Sequence, residues 1–163
     1  MVEDVYCIDS SSLMELSRQY PKSSFPTLWV KIDTLIEAGR LISPEEVLNE
    51  IKRGDDSLVE WAKKRRQMFI PLDSDQARIA GQILASSKDL IDPLGEAPQA
   101  DPFLIALAKV RNDSTEKQLF DRKHVVVTQE GRHKPNKIPQ VATRFGVESI
   151  RLLDLFEKEN WKF

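Results

Sequence analysis

Val5-Tyr6-Cys7-Ile8-Asp9-Ser10-Ser11-Ser12 is an uninterrupted apolar run that delivers one carboxylate and then three hydroxyls. A short run that is apolar at every position suits a strand buried on both faces, as strands of a parallel sheet are. Such a strand ending in Asp puts the acid at the carboxyl edge of the sheet, where open α/β folds place their ligands. Asp9 also has an ordinary reading, since Asp before a serine run is a good cap for the next helix. Whether other acids join it separates the two readings.

Beyond this strand the pattern alternates. A helix is expected around Leu13–Tyr20, stopped by Pro21, and a second through Trp29, Ile32, Leu35 and Ile36, with Gly39 where a helix C-terminus wants it. Leu41-Ile42 reads as a short buried strand. Ser43-Pro44-Glu45-Glu46 then forms a helix start, with Ser43 as cap, Pro44 at the first helical position and Glu46 closing a capping box. Leu58, Trp61 and Ala62 mark a further helix, Met68 to Leu72 a strand, and Ala77, Ala80, Ile83 and Leu84 a helix capped by Asp73 or Ser74.

Ser86 to Ala100, with Pro93, Gly95 and Pro98, reads as a surface loop that empties into the apolar helix Asp101-Pro102-Phe103-Leu104-Ile105-Ala106-Leu107-Ala108. His124-Val125-Val126-Val127-Thr128 is a buried strand running into Gln129-Glu130-Gly131. A short helix over Gln140–Phe145, closed by Gly146, and a strand over Val147–Leu153 complete the chain. Strands alternating with helices predict an α/β fold of three α/β/α layers around a mainly parallel sheet.

A length of 163 residues suits one domain spanning 1–163, large enough to bury about two-thirds of its unfolded surface. Cys7 is the only cysteine and lies in an apolar run, as a small buried side chain in a reducing compartment would. The acidic start Met1-Val2-Glu3-Asp4 lacks a basic leader region, and no apolar stretch nears the roughly 18 residues of a membrane span. A cytoplasmic protein without a membrane partner is expected. The formal net charge of −2 argues against a surface that grips nucleic acid everywhere. It leaves room for local clusters such as Lys63-Lys64-Arg65-Arg66, Arg122-Lys123-His124 and Arg132-His133-Lys134 with Lys137. His124 and His133, lone histidines in basic surroundings, are expected at the surface.

Four acids stand at element ends or on helix faces that can converge on one sheet edge: Asp9, Glu50, Asp101 and Glu130. Each has a plain alternative, as helix cap, solvent-facing glutamate or turn residue. Glu50 lies three residues after Val47 and one before Ile51, at the margin of an apolar helix face, so its carboxylate can reach over the sheet edge. Glu46 shares that side but is occupied by the expected capping box. Asp9 and Glu130 both follow buried strands, and they face one crevice if those strands are neighbours at the topological switch point. Carboxylates brought together repel unless a cation holds them. An all-oxygen donor set favours Mg²⁺ or Mn²⁺ over zinc and suggests phosphodiester hydrolysis.

In this order the residues resemble PIN-domain nucleases. Their opening strand ending in Asp-x-Ser/Thr is similar to Asp9-Ser10-Ser11, and their helical Glu to Glu50 in Leu41-Ile42-Ser43-Pro44-Glu45-Glu46-Val47-Leu48-Asn49-Glu50. The Asp opening an apolar helix corresponds to Asp101, and the Thr-x-Asp strand end to Thr128-Gln129-Glu130. The resemblance covers about Val5 to Leu153. Glu130 stands where most relatives carry Asp, and Arg132 to Pro139 replaces a shorter ending, so the chain resembles a divergent prokaryotic branch.

The resemblance implies a five-stranded parallel sheet and a metal-dependent endoribonuclease akin to the VapC-like toxins of toxin–antitoxin pairs, which commonly form homodimers and are blocked by a small antitoxin. On it, Asp9, Glu50 and Asp101 would hold one or two Mg²⁺ or Mn²⁺ ions, with Glu130 helping a second ion or orienting a water. Ser11 and Thr128 would position the ligand carboxylates or the scissile phosphate, and Arg132, Lys134 and Lys137 would contact the RNA backbone. Two rivals stand beside this reading. One is a binding or scaffold module whose acids are caps. The other is a phosphoaspartyl enzyme using Asp9, weakened because Ser11 stands where such phosphatases want a second acid.

Overall fold

The computed structural model describes residues 3–54, 56–86, 101–114, 122–131 and 137–163. Its strands are β1 (Glu3–Ile8), β2 (Leu41–Pro44), β3 (Phe69–Ile70), β4 (Arg122–Val127) and β5 (Ser149–Ile150). The helices are α1 (Ser10–Gln19), α2 (Pro26–Glu37), α3 (Glu45–Ile51), α4 (Asp56–Lys63), α5 (Ser74–Ser86), α6 (Asp101–Asp113), α7 (Ile138–Arg144) and α8 (Leu152–Lys158). The strands form one sheet ordered β3-β2-β1-β4-β5, and every neighbouring pair is parallel. The chain steps outward from β1 through β2 to β3 and then returns to the other side of β1. The switch point therefore falls between β1 and β4, whose ends carry Asp9 and Thr128.

Side-chain alternation in the central strands builds the three layers. Tyr6 and Ile8 of β1, with Val125 and Val127 of β4, face a core completed by α1, α2, α3, α4 and α8. Val5 and Cys7, with Val126 and Ile42, face the other core, completed by α5, α6 and α7. Both faces are covered, and for that reason the strands are apolar at successive positions. Burial pushes the Cys7 thiol up to about 12, which keeps it protonated and inert. Gly39 (φ +71°) and Gly146 (φ +73°) take the left-handed conformation past the ends of α2 and α7. At the far edge of the sheet, Glu159 accepts from the Tyr6 hydroxyl (2.5 Å) and from both terminal nitrogens of Arg40 (2.7 and 3.0 Å). This network fastens the end of α8 to β1 and β2.

Several elements differ from their expected form. Ser43 is the third residue of β2 and no helix cap; its hydroxyl donates to the Ile8 carbonyl (2.7 Å), and Pro44 takes the cap position without a side-chain bond. The expected capping box through Glu46 is therefore absent, since the register that pairs Cys7 with Ile42 carries Ser43 onto the end of β1. The strand expected over Met68–Leu72 is reduced to Phe69–Ile70, preceded by a 3₁₀ turn over Arg66–Met68 and cut off by Pro71, which has no N–H to donate. The strand expected over Val147–Leu153 stops at Ile150, and α8 follows. Leu152, Leu155 and Phe156 of α8 are buried at helical spacing, and Asp154 accepts from the Arg151 N–H (2.9 Å) at its start. His124 is buried within β4 and is no surface residue. Its backbone N–H and carbonyl are both bonded by the Asn112 side chain (2.7 and 3.0 Å). The loop expected from Ser86 to Ala100 lies, beyond Ser86, outside the described residues.

The helix α8 is accordingly a structural part of the first core. Leu155→Ala should lower unfolding free energy in urea by about 2–5 kcal/mol, whereas Leu153→Ala, at a 59% exposed position, should change it by under about 0.5 kcal/mol. Equal small losses for the two variants would contradict the packing of α8.

Candidate metal centre

Asp9 follows directly on β1 and still belongs to its hydrogen-bonding ladder, its N–H donating to the Val127 carbonyl (3.1 Å). The parallel register ends at Ile8 opposite Val127, and one further step sets Asp9 beside Thr128. Its Oδ1 accepts from the Ser12 N–H (2.8 Å), the N-cap bond of α1. Its Oδ2 accepts from the Ser11 hydroxyl (2.8 Å) and the Thr128 hydroxyl (2.6 Å). A carboxylate offers about four lone-pair directions, and three are filled. The Ser12 hydroxyl also acts on this carboxylate, so Asp9 is both a cap and a fixed oxygen donor. Ser11 and Thr128 are in turn held from the segment that follows β4, because Ser11 Oγ accepts from the Gln129 N–H (3.1 Å) and Thr128 Oγ1 from the Glu130 N–H (3.2 Å).

The other three acids come from three separate elements. Glu50 sits half-buried in the last turn of α3, beside the buried Val47, Leu48 and Ile51, and its Oε1 accepts from the Ser10 hydroxyl (3.2 Å). Asp101 is the first residue of α6 and lies inside the helix, not at the cap position expected of it. Glu130 follows β4, and its Oε2 accepts from the Ile138 N–H (2.8 Å), so it caps α7. One Glu130 oxygen is thereby engaged by the protein itself.

Charge couples these groups. Burial, then the Glu130, Glu50 and Asp9 carboxylates, push Asp101 up to about 8, against a smaller opposing effect of Lys137. Burial also raises Asp9, although the hydroxyls of Thr128 and Ser11 and the Ser12 N–H stabilise its anion. Glu130 is raised by burial and by Asp9, while the Ile138 N–H and Lys137 act the other way. Glu130, Glu50 and Asp9 therefore all lie within electrostatic reach of Asp101, and Asp9 within reach of Glu130. Lys137, exposed at the N-terminus of α7, stands at the rim of the group. Arg132, His133 and Lys134 fall outside the described residues. Ser10, Ser43 and Gln129 are the members the sequence reading passed over. Gln129 joins the site to α8, its side-chain oxygen accepting from the Leu152 N–H (2.9 Å).

Among the described residues, no group of three or more Asp, Glu, His or Cys side chains is arranged to hold an ion as it stands. The donor chemistry nevertheless suits a hard divalent cation: the acids at this edge offer carboxylate oxygens, and burial holds Asp9, Asp101 and Glu130 above their ordinary range, with neighbouring carboxylates adding to it at Asp101 and Glu130.

Fold and site define an α/β protein that gathers carboxylates at the switch point of a parallel sheet. The chain belongs to the family described as domain of unknown function DUF4411, which it matches over residues 6–163. No curated protein matches it. Among the described residues no helix is long and apolar enough to cross a membrane.

The electrostatics set a pH dependence. Asp101 binds its proton more tightly folded than unfolded, so between its ordinary value of 3.8 and about 8 the folded state carries more protons and stability falls as pH rises. Relative to Asp101→Asn, the metal-free protein should lose thermal stability progressively from about pH 4 to about pH 8, and Mn²⁺ should raise its Tm more at the upper end. Parallel Tm profiles for parent and variant in EDTA would show that Asp101 does not feel its neighbours.

Proposed function

We propose that this protein is a metal-dependent nuclease that hydrolyses RNA phosphodiester bonds. The observation that carries the reading is Asp101. Its carboxylate opens an apolar helix, and burial together with three other carboxylates raises it to about 8. A group that costs the fold stability at neutral pH is what a cation-binding centre needs and what a cap does not.

Asp9, Glu50 and Asp101 would hold Mg²⁺ or Mn²⁺, and Glu130, through the oxygen that does not accept from Ile138, would orient water or assist a second ion. When bound, such an ion supplies an activated water nucleophile and stabilises charge developing on the phosphate. The chain's own contribution is positioning. The hydroxyl protons of Ser11 and Thr128 are both used on Asp9, so these residues fix the carboxylate and do not donate to the phosphate. Lys137 at the rim offers a cation to the RNA backbone, and Arg132 and Lys134 follow Glu130 in the same segment. The choice of RNA, the cytoplasmic setting and a toxin role with a small antitoxin and a homodimer rest on the resemblance to PIN-domain nucleases.

The rival scaffold reading has one observation in its favour: Asp9 and Glu130 do cap helices. Asp101 separates the two readings, since no described group donates a hydrogen bond to it and its burial serves no cap.

Purified protein should cut single-stranded RNA with Mg²⁺ or Mn²⁺ and stop in EDTA, and Asp9→Asn should lower the rate by about 100-fold or more, the upper end of what even indirect partners of a metal cause. Cleavage that persists in EDTA would sink the mechanism. Lys137→Ala should weaken RNA binding and reduce the slope of log K against log salt by about one. An unchanged slope would remove Lys137 from the RNA contact.

A further inference from the structure

Asp9, Ser10 and Ser11 are consecutive, yet each turns to a different part of the centre. Asp9 caps α1, Ser11 reaches back to Asp9 and across to Gln129, and Ser10 reaches α3. Ser10 is the first residue of α1, and its hydroxyl donates to Glu50 Oε1 across 40 positions of sequence. Glu50 hangs on a flexible stem in the last turn of a seven-residue helix. Its backbone alone leaves the carboxylate several rotamers, and a hydrogen bond from the neighbouring helix selects among them.

We infer that Ser10 is the positioning residue for Glu50, a role that rests on the metal-centre reading above. A hydroxyl has one proton to donate. With that proton on Oε1, Ser10 acts through Glu50 and does not contact phosphate. One turn of chain, Asp9 to Ser11, then fixes two of the acids at once: Asp9 by cap and hydroxyls, Glu50 by Ser10. The hydroxyl-rich run after the first acid thus sets the separation of two ligands from different layers of sequence.

The test is direct Mn²⁺ binding by the full chain, measured by electron paramagnetic resonance, without reliance on cleavage. Ser10→Ala should weaken Mn²⁺ affinity by about 10-fold while the circular dichroism spectrum stays that of the parent, and Ser10→Thr should restore most of it. In a Glu50→Ala background, which removes the acceptor, the further change Ser10→Ala should have no effect, because the two act as one unit. Parent-like affinity of Ser10→Ala, or an equal loss in both backgrounds, overturns the positioning role while the metal centre stands. A parent that binds no Mn²⁺ overturns both. A Ser10→Ala protein that fails to fold while Ser10→Thr folds and binds poorly also counts against the inference, since it assigns the hydroxyl to the fold.

Discussion

The fixing of one carboxylate at the end of the central strand is the constraint on which the rest depends. Asp9 is buried at the point where β1 and β4 part, and burial alone would neutralise it. Three donors, from Ser11, Ser12 and Thr128, stabilise its charged form and fix its direction. To supply them the fold must bring Thr128 beside Asp9, which requires β1 and β4 to be parallel neighbours. It must also start α1 immediately after the strand. The sheet order and the first helix are therefore consequences of the same local chemistry that shapes the site.

The other acids follow from the layers. The α3 helix reaches the sheet edge because β2 lies beside β1 and is tied to it there by Ser43 on the Ile8 carbonyl. The α6 helix starts at the same edge because it runs back over the second face. Glu130 is drawn in by β4 and anchored by the N-terminus of α7. Three sources of attraction, hydrogen bonds, strand pairing and apolar packing, thus bring together four groups that repel. The balance leaves Asp101 with no hydrogen-bond donor on its carboxylate among the described residues.

Much of this was legible in the sequence because the period of the apolar residues changes cleanly from strand to helix. Val5 to Ile8 and Val125 to Val127 have no polar interruption, and only a strand covered on both sides tolerates that. The acids were legible as an ordered set at element ends. What escaped has tertiary causes. The run Ile150-Arg151-Leu152-Leu153 looks like a continuing strand, and its helical character becomes visible only through Leu155 and Phe156 and the burial they share with Leu152. Ser43 looks like a cap by spacing, but strand register claims it. Ser10 is invisible as a site residue because its partner lies in another helix, and His124 is buried by its neighbours in the sheet despite the basic residues around it.

The account comes down to whether the four acids gather around a divalent cation. Anomalous diffraction from crystals grown with Mn²⁺ tests this most directly. It should show a peak at the carboxyl edge between β1 and β4, bonded by the carboxylates of Asp9, Glu50 and Asp101. No peak there in well-ordered crystals, with the acids held by caps and lysines alone, would contradict it.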